Sequence, residues 1–292
     1  MRWRRSAGDR SDIEDRRGAG GGGLGRIPGG RIGGGIGGAG IIGVIVALLV
    51  VFLGGGSGRA FDVGPSLDPF PAMPAAEDNV VDDGPDPLRD FTAFVIRDVN
   101  DSWAVAFQAA GRRYERAPLV LFVSAVRTAC GNASSAVGPF YCPADRRVYL
   151  DLGFFRELEQ RFGAPGDFAQ AYVIAHEVGH HVQNLLGIMG QVQELQAQNP
   201  AQANDLSVRL ELQADCLAGV WAHSAYEENL LEEGDLEEGL NAAAAVGDDR
   251  IQQQATGRID RETFTHGSSQ ERRDWFMRGF EEGTIEACDT FA

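Results

Sequence analysis

Two histidines four residues apart with a glutamate beside the first, His176-Glu177-Val178-Gly179-His180, are the part of this 292-residue chain best equipped for chemistry. On a helix, positions i and i+4 lie about 40° apart around the axis, so both imidazoles point the same way. Two neutral imidazoles so spaced can share one tetrahedral Zn2+ at about 2.0–2.1 Å. Glu177 is turned about 100° from His176, which sets its carboxylate beside the ion's open position and suits it to act as general base. The neighbours Tyr172, Val173, Ile174 and Val178 make the helix apolar and core-facing rather than a solvated surface carrying two histidines.

A third ligand is required; spacing points to Glu211, with a solvated acidic stripe as the alternative reading of Glu211 and Asp215. From His180 the helix runs to Gly187, the chain loops through Gly190 and Pro200, and a second helix returns. Glu211 lies about seven residues into that helix, so two stretches of roughly 10 Å nearly cancel in a helical hairpin. Asp215, four residues on, shares its face, where it can accept the N–H of a ligand imidazole and fix the tautomer. Ala214, Ala218, Gly219 and Ala222 are small enough for close helix approach. Cys216 is rotated about 100° from the Glu211–Asp215 face and is read as a disulfide partner rather than a ligand. His181 points about 100° away from its neighbour and reads as packing or solvent-facing, and His223 as a surface histidine. Asp248 and Asp249 read as structural hydrogen-bonders, and Glu227 to Glu238 as a solvated acidic stretch.

The elements that position these groups follow from periodicity. Helices are predicted at about Phe91 to Glu115, Phe154 to Phe162, Asp167 to Leu186, Asn204 to Ala225, Asp235 to Gln254 and Ser268 to Gly283. Pro118-LVLFVSAV and Arg147-VYLDL read as strands. The fold class is α+β, mainly helical, with a small β element.

Charge and hydropathy place this domain. The net charge is −16 and all 26 basic residues are arginines. Residues 1–34 carry eight of them against four acids, leaving −20 on the rest, a poor match for nucleic acid, whose binding rests on neutralised phosphates. Ile36 to Leu53 is an uncharged apolar run that would reach roughly 27 Å as a helix, enough to span a bilayer. The long stretch before it and the lack of an A-x-A site favour an uncleaved transmembrane anchor over a signal peptide. The expected layout is a disordered Arg/Gly-rich cytoplasmic tail (1–35), an anchor (36–56), a flexible linker (57–87) and a domain at 88–292 outside the cytoplasm, as the positive-inside rule requires. Four cysteines in an exported domain favour disulfides. The sequence allows three pairings; Cys130–Cys142 with Cys216–Cys288 is preferred, the second tying the C-terminus to the metal helix.

The segments HEVGHHVQ, RLELQADCLAGVW, GDDRIQ, FTHGSSQERRDWF and CDTF, in that order, resemble those of the bacterial neutral zinc metallopeptidase family, over about Leu88 to the C-terminus. That resemblance implies a zincin-like metallopeptidase domain behind a single N-terminal anchor. More distantly, HExxH followed by E-x-x-A-D is similar to gluzincin-type membrane peptidases, which implies Glu211 as third ligand and Asp215 as the group orienting a histidine. The recurrence of Thr265-His266-Gly267 makes His266 the candidate oxyanion donor, with a purely structural role, or Arg272 or Arg273 in its place, as alternatives.

The leading expectation is therefore a zinc peptidase acting on peptides or envelope proteins, with His176, His180 and Glu211 as ligands and Glu177 as base. The rival is an exported binding or assembly factor whose zinc only stabilises the fold. Glu177 favours catalysis, because a structural site needs no base and fills its four positions with protein ligands. A metal-free membrane scaffold would leave the spacing unexplained.

Overall fold

The computed structural model describes residues 1–3, 11–18 and 85–292. Helix α1, Pro87–Ala109, begins with Pro in its first turn, where a missing N–H costs nothing, and Asp86 caps it by accepting the N–H of Arg89 at 3.0 Å. Its buried stripe is Phe91, Val95, Val99, Trp103 and Phe107. The helix ends six residues before the predicted Glu115. Asn100 in its middle pairs with both backbone groups of Ala117, at 3.0 Å each, and so holds the following chain extended.

That chain enters a four-stranded sheet of order β1-β2-β6-β5: β1 is Ile13–Asp15, β2 Leu119–Phe122, β5 Phe140–Cys142 and β6 Arg147–Asp151. β1, β2 and β6 run parallel, and β5 is antiparallel to β6. The single strand predicted after Pro118 is broken at Ser124, whose φ of 65° turns the chain into a separate hairpin, β3 (Ala125–Thr128) with β4 (Gly131–Ser134). The disulfide Cys130–Cys142 ties this hairpin to β5. It closes a loop worth roughly 3 kcal/mol in the chain-entropy account.

Beyond the sheet the chain is helical: α2 (Phe154–Gln160), α3 (Asp167–Leu186), α4 (Ile188–Gln198), α5 (Ala203–Glu227), α6 (Asp235–Ala245), α7 (Asp248–Thr256) and α8 (Ser269–Glu282). The connection expected to be a loop through Gly190 contains α4. The helix predicted over Asp235 to Gln254 is two helices. Gly247 separates them, because a Cβ there would strike Ser269, whose hydroxyl donates to the Ala244 carbonyl at 2.8 Å. Ser268 and Glu271 form a reciprocal capping box at the start of α8. The bridge Cys216–Cys288 joins α5 to the C-terminus.

One expectation is corrected for the described part of the tail. The tail predicted to be disordered is folded onto the domain at Met1–Trp3 and at residues 11–18. Met1 is buried, Trp3 packs edge-on against Phe91, and β1 is the edge strand beside β2. A low-hydrophobicity tail does not build a core of its own, but this one borrows the domain's. The run Ile36 to Leu53 and the linker lie outside the described residues. Among the described residues no helix is long and apolar enough to cross a membrane.

Candidate metal centre

Helices α3 and α5 run antiparallel, as the pairs Tyr172–Asp215, His176–Glu211 and Gln183–Leu210 demonstrate by their opposite order. Gly179 makes the approach possible: a Cβ on it would lie 2.9 Å from the Ala214 carbonyl oxygen. Gly219, expected to serve the same seam, faces α8 instead, where with Gly279 it lets α5 and α8 close on each other.

This approach brings together the three predicted ligands. His176 Nε2 is 3.2 Å from one Glu211 oxygen, and His180 Nε2 is 3.5 Å from the other. Donors about 2.0–2.1 Å from a tetrahedral ion stand about 3.3 Å apart, so the set fits a zinc-sized cation. The opposite edges of both rings are held. His176 Nδ1 faces Asp215 Oδ1 at 2.9 Å and His180 Nδ1 faces Gln183 Oε1 at 2.8 Å. Both partners present acceptors, so each neutral ring carries its hydrogen on Nδ1 and offers a lone pair at Nε2. Gln183 has its own amide fixed by donation to the Leu210 carbonyl at 2.6 Å.

Electrostatics agree with the geometry. Burial disfavours charge on His176, but Asp215 and Glu211 outweigh it and raise the ring to about 10. Burial likewise opposes ionised Glu211, yet His180 and His176 hold it well below the carboxylate range. Asp215, fully buried, is kept ionised against that burial by Arg272 and His176. Arg272 donates twice to it, at 2.7 and 2.9 Å, and Tyr172 donates its hydroxyl to the same carboxylate. A dication replacing the ring protons would meet the same carboxylates.

The centre opens on a cleft of about 660 Å3. Glu177 and His266 line it, as do apolar side chains including Phe140, Phe154, Met189 and Leu210. Burial raises the Glu177 carboxyl, partly offset by His176 and His180. His266 sits on the turn before α8. Its Nδ1 faces Asp248 Oδ1 at 3.2 Å, and Asp248 Oδ2 accepts the backbone N–H groups of Thr265, His266 and Gly267.

The remaining candidates have other partners. Arg272 is committed to Asp215 and Tyr172, and Arg273 faces Asn241 and Glu237 on the outside of α8. His181 is fully buried packing, between the Tyr141 hydroxyl and the Glu115 carbonyl, and His223 Nδ1 donates to the Phe280 carbonyl. Asp249 accepts from Ser269. Sequence reasoning missed Gln183 and the orienting role of Arg272. Gln183 stood three residues after His180, one turn on, where such a partner belongs; the place of Arg272 had no local signature.

Comparison with known proteins agrees with this geometry. The family described as "Putative neutral zinc metallopeptidase" matches residues 1–291. "Uncharacterized protein YpfJ" of Escherichia coli K12 is 46% identical over 293 residues, covering 100% of this chain and 99% of that protein. "Uncharacterized protein Rv2575" of Mycobacterium tuberculosis H37Rv is 51% identical over 191 residues, 61% of this chain and 64% of the other. No solved structure matches. Ligand spacing, donor geometry and a match over nearly the whole length together place this chain in the neutral zinc metallopeptidase family.

Proposed function

We propose that this chain hydrolyses peptide bonds outside the cytoplasm, tethered to the membrane by Ile36 to Leu53, with zinc held by His176, His180 and Glu211. The observation that carries the reading is the open side of the donor set. Three protein groups converge within 4.8 Å of one another at the wall of a cleft, which leaves a coordination place toward substrate. When bound there, zinc supplies Lewis acidity that lowers the pKa of a water and polarises a carbonyl.

The protein residues do the rest. Glu177, raised by burial, accepts a proton from the attacking water and returns it to the departing amine nitrogen. Asp215 and Gln183 hold the two rings in the tautomer that presents Nε2. Burial lowers the His266 pKa, but Asp248 and Glu211 more than offset it and raise it, so the ring carries a proton on both nitrogens, keeps Nδ1 on Asp248 and donates from Nε2 to the oxyanion of the tetrahedral intermediate. The apolar walls of the cleft exclude water and receive the side chains of a peptide or protein substrate.

The test pairs metal analysis of the purified full chain with cleavage of a peptide library by wild type and Glu177→Gln. The expected result is one zinc per chain in both and cleavage only by wild type. Equal cleavage by the two proteins, or no metal in either, would refute the proposal.

A further inference from the structure

Arg17 and Asp86 stand on opposite sides of the apolar run in sequence, yet Arg17 Nη1 lies 2.7 Å from Asp86 Oδ2. Asp15 completes the clasp by accepting from the Arg17 Nε at 2.8 Å, and Asp86 is at the same time the cap of α1. The two ends of the stretch 19–84 are therefore fastened to one spot on the domain.

The tail is also part of the sheet. Ile13, Glu14 and Asp15 pair in parallel register with Leu119, Val120 and Leu121. The pairing extends at both ends: the N–H of Leu119 donates to the Asp12 carbonyl at 2.7 Å, and that of Arg16 to the Leu121 carbonyl at 2.8 Å. β2 is fully buried along its whole length, the pattern of an interior strand. Without β1 its apolar edge would be a bare pairing surface, a liability that folded proteins cover. The buried carboxylate of Asp12 faces Arg116, which accounts for a charge at the strand's start.

A segment that crosses a bilayer once has its two ends on opposite faces of a hydrocarbon layer about 30 Å thick. No side-chain ion pair bridges that distance, so a docked tail and a single crossing exclude each other. We infer that residues 11–18 lie on the same side of the membrane as the metal centre, docked as the edge strand of its sheet. The inference rests on the membrane attachment proposed above. It also reassigns the tail's charge: Arg16 and Arg17 are paired with Glu14, Asp15 and Asp86 and so do not serve as the free positive charges that hold a tail in the cytoplasm.

The experiment uses the full chain in a bacterial host. The four native cysteines are in disulfides, so Arg17→Cys and Asp86→Cys supply the only thiols. In the double variant, a new disulfide joining the two positions is expected, mapped on fragments after cleavage between them. In intact cells stripped of their wall, the single variants should be labelled to the same extent by a membrane-impermeant maleimide. Absence of the cross-link, with Arg17→Cys labelled only after lysis while Asp86→Cys labels before it, would overturn the inference. Because each single substitution removes the clasp, the unsubstituted chain provides a second readout. After trypsin cuts between Arg17 and Asp86, the tail peptide should remain bound to the domain under native conditions, and its release would overturn the docking. Recovery of the chain in the soluble fraction would refute the anchor alone, since the cross-link can be read in either fraction.

Discussion

Two histidines of the cleft turn Nδ1 toward an aspartate, and the two pairs are built in different ways. In His176–Asp215 the carboxylate lies fully buried between α3, α5 and α8, and its charge is met by the Arg272 guanidinium and the Tyr172 hydroxyl. In His266–Asp248 the carboxylate closes a turn, and three consecutive backbone N–H groups meet its charge. The first pair depends on side chains from three helices distant in sequence. The second is mostly local, on a turn beside the cleft. The same chemical pairing is thus enclosed by long-range charges in one place and by the backbone in the other, and the proposed mechanism uses the first for orientation and the second for donation.

The largest effect should come from removing the long-range charge. Arg272→Met leaves Asp215 buried against a smaller positive field, and a stability loss of about 3–5 kcal/mol is expected in urea unfolding. A loss near zero would mean that Tyr172 and His176 suffice and that the two pairs differ less than their surroundings suggest. Next, His266→Ala should lower kcat about 10²–10³-fold while zinc content stays at wild-type level. Loss of zinc in that variant would move His266 from the substrate to the metal and erase the distinction.

A smaller effect is expected from the seam that only the first pair needs. Gly179→Ala would press a methyl onto the Ala214 backbone, costing about 1–3 kcal/mol and weakening zinc retention against a chelator. Unchanged retention would show that the seam can relax without disturbing the ligands. The smallest effect concerns pH. Burial pushes the Asp248 carboxyl up, but His266 and the turn amides more than compensate and its pKa is lowered. A lowered folded pKa gives stability that is present above the unfolded carboxylate value near 4 and is lost as pH falls through the folded value. The melting-temperature gap between wild type and Asp248→Asn should therefore be widest near neutrality and narrow in acid. A gap independent of pH would mean that the turn amides alone hold this carboxylate in place.

How much of this was readable beforehand depends on distance along the chain. The convergence of His176 and His180 was legible because i and i+4 on one helix is a local relation. Glu211 was legible because two helices of similar reach must return to the same level, even though α4 was missed in the connection between them. Gly219 was misassigned because composition says that a helix can be approached closely, but not by which neighbour. Arg272, 57 residues from the carboxylate it holds, left no trace in periodicity or spacing. The tail was misread for a related reason. Its composition is that of a chain without a core, and only the buried edge of β2 gives it one.

By itself, the sequence determined the helix carrying His176, Glu177 and His180, the face shared by Glu211 and Asp215, and the mainly helical class. All of these follow from the 3.6-residue turn and the burial of apolar stripes. The tertiary structure decided which charges meet in the interior, which glycines face which helix, and that Met1–Trp3 and residues 11–18 pack onto the domain. Those are matters of which surfaces touch, and a linear pattern fixes the period of a surface but not its partner.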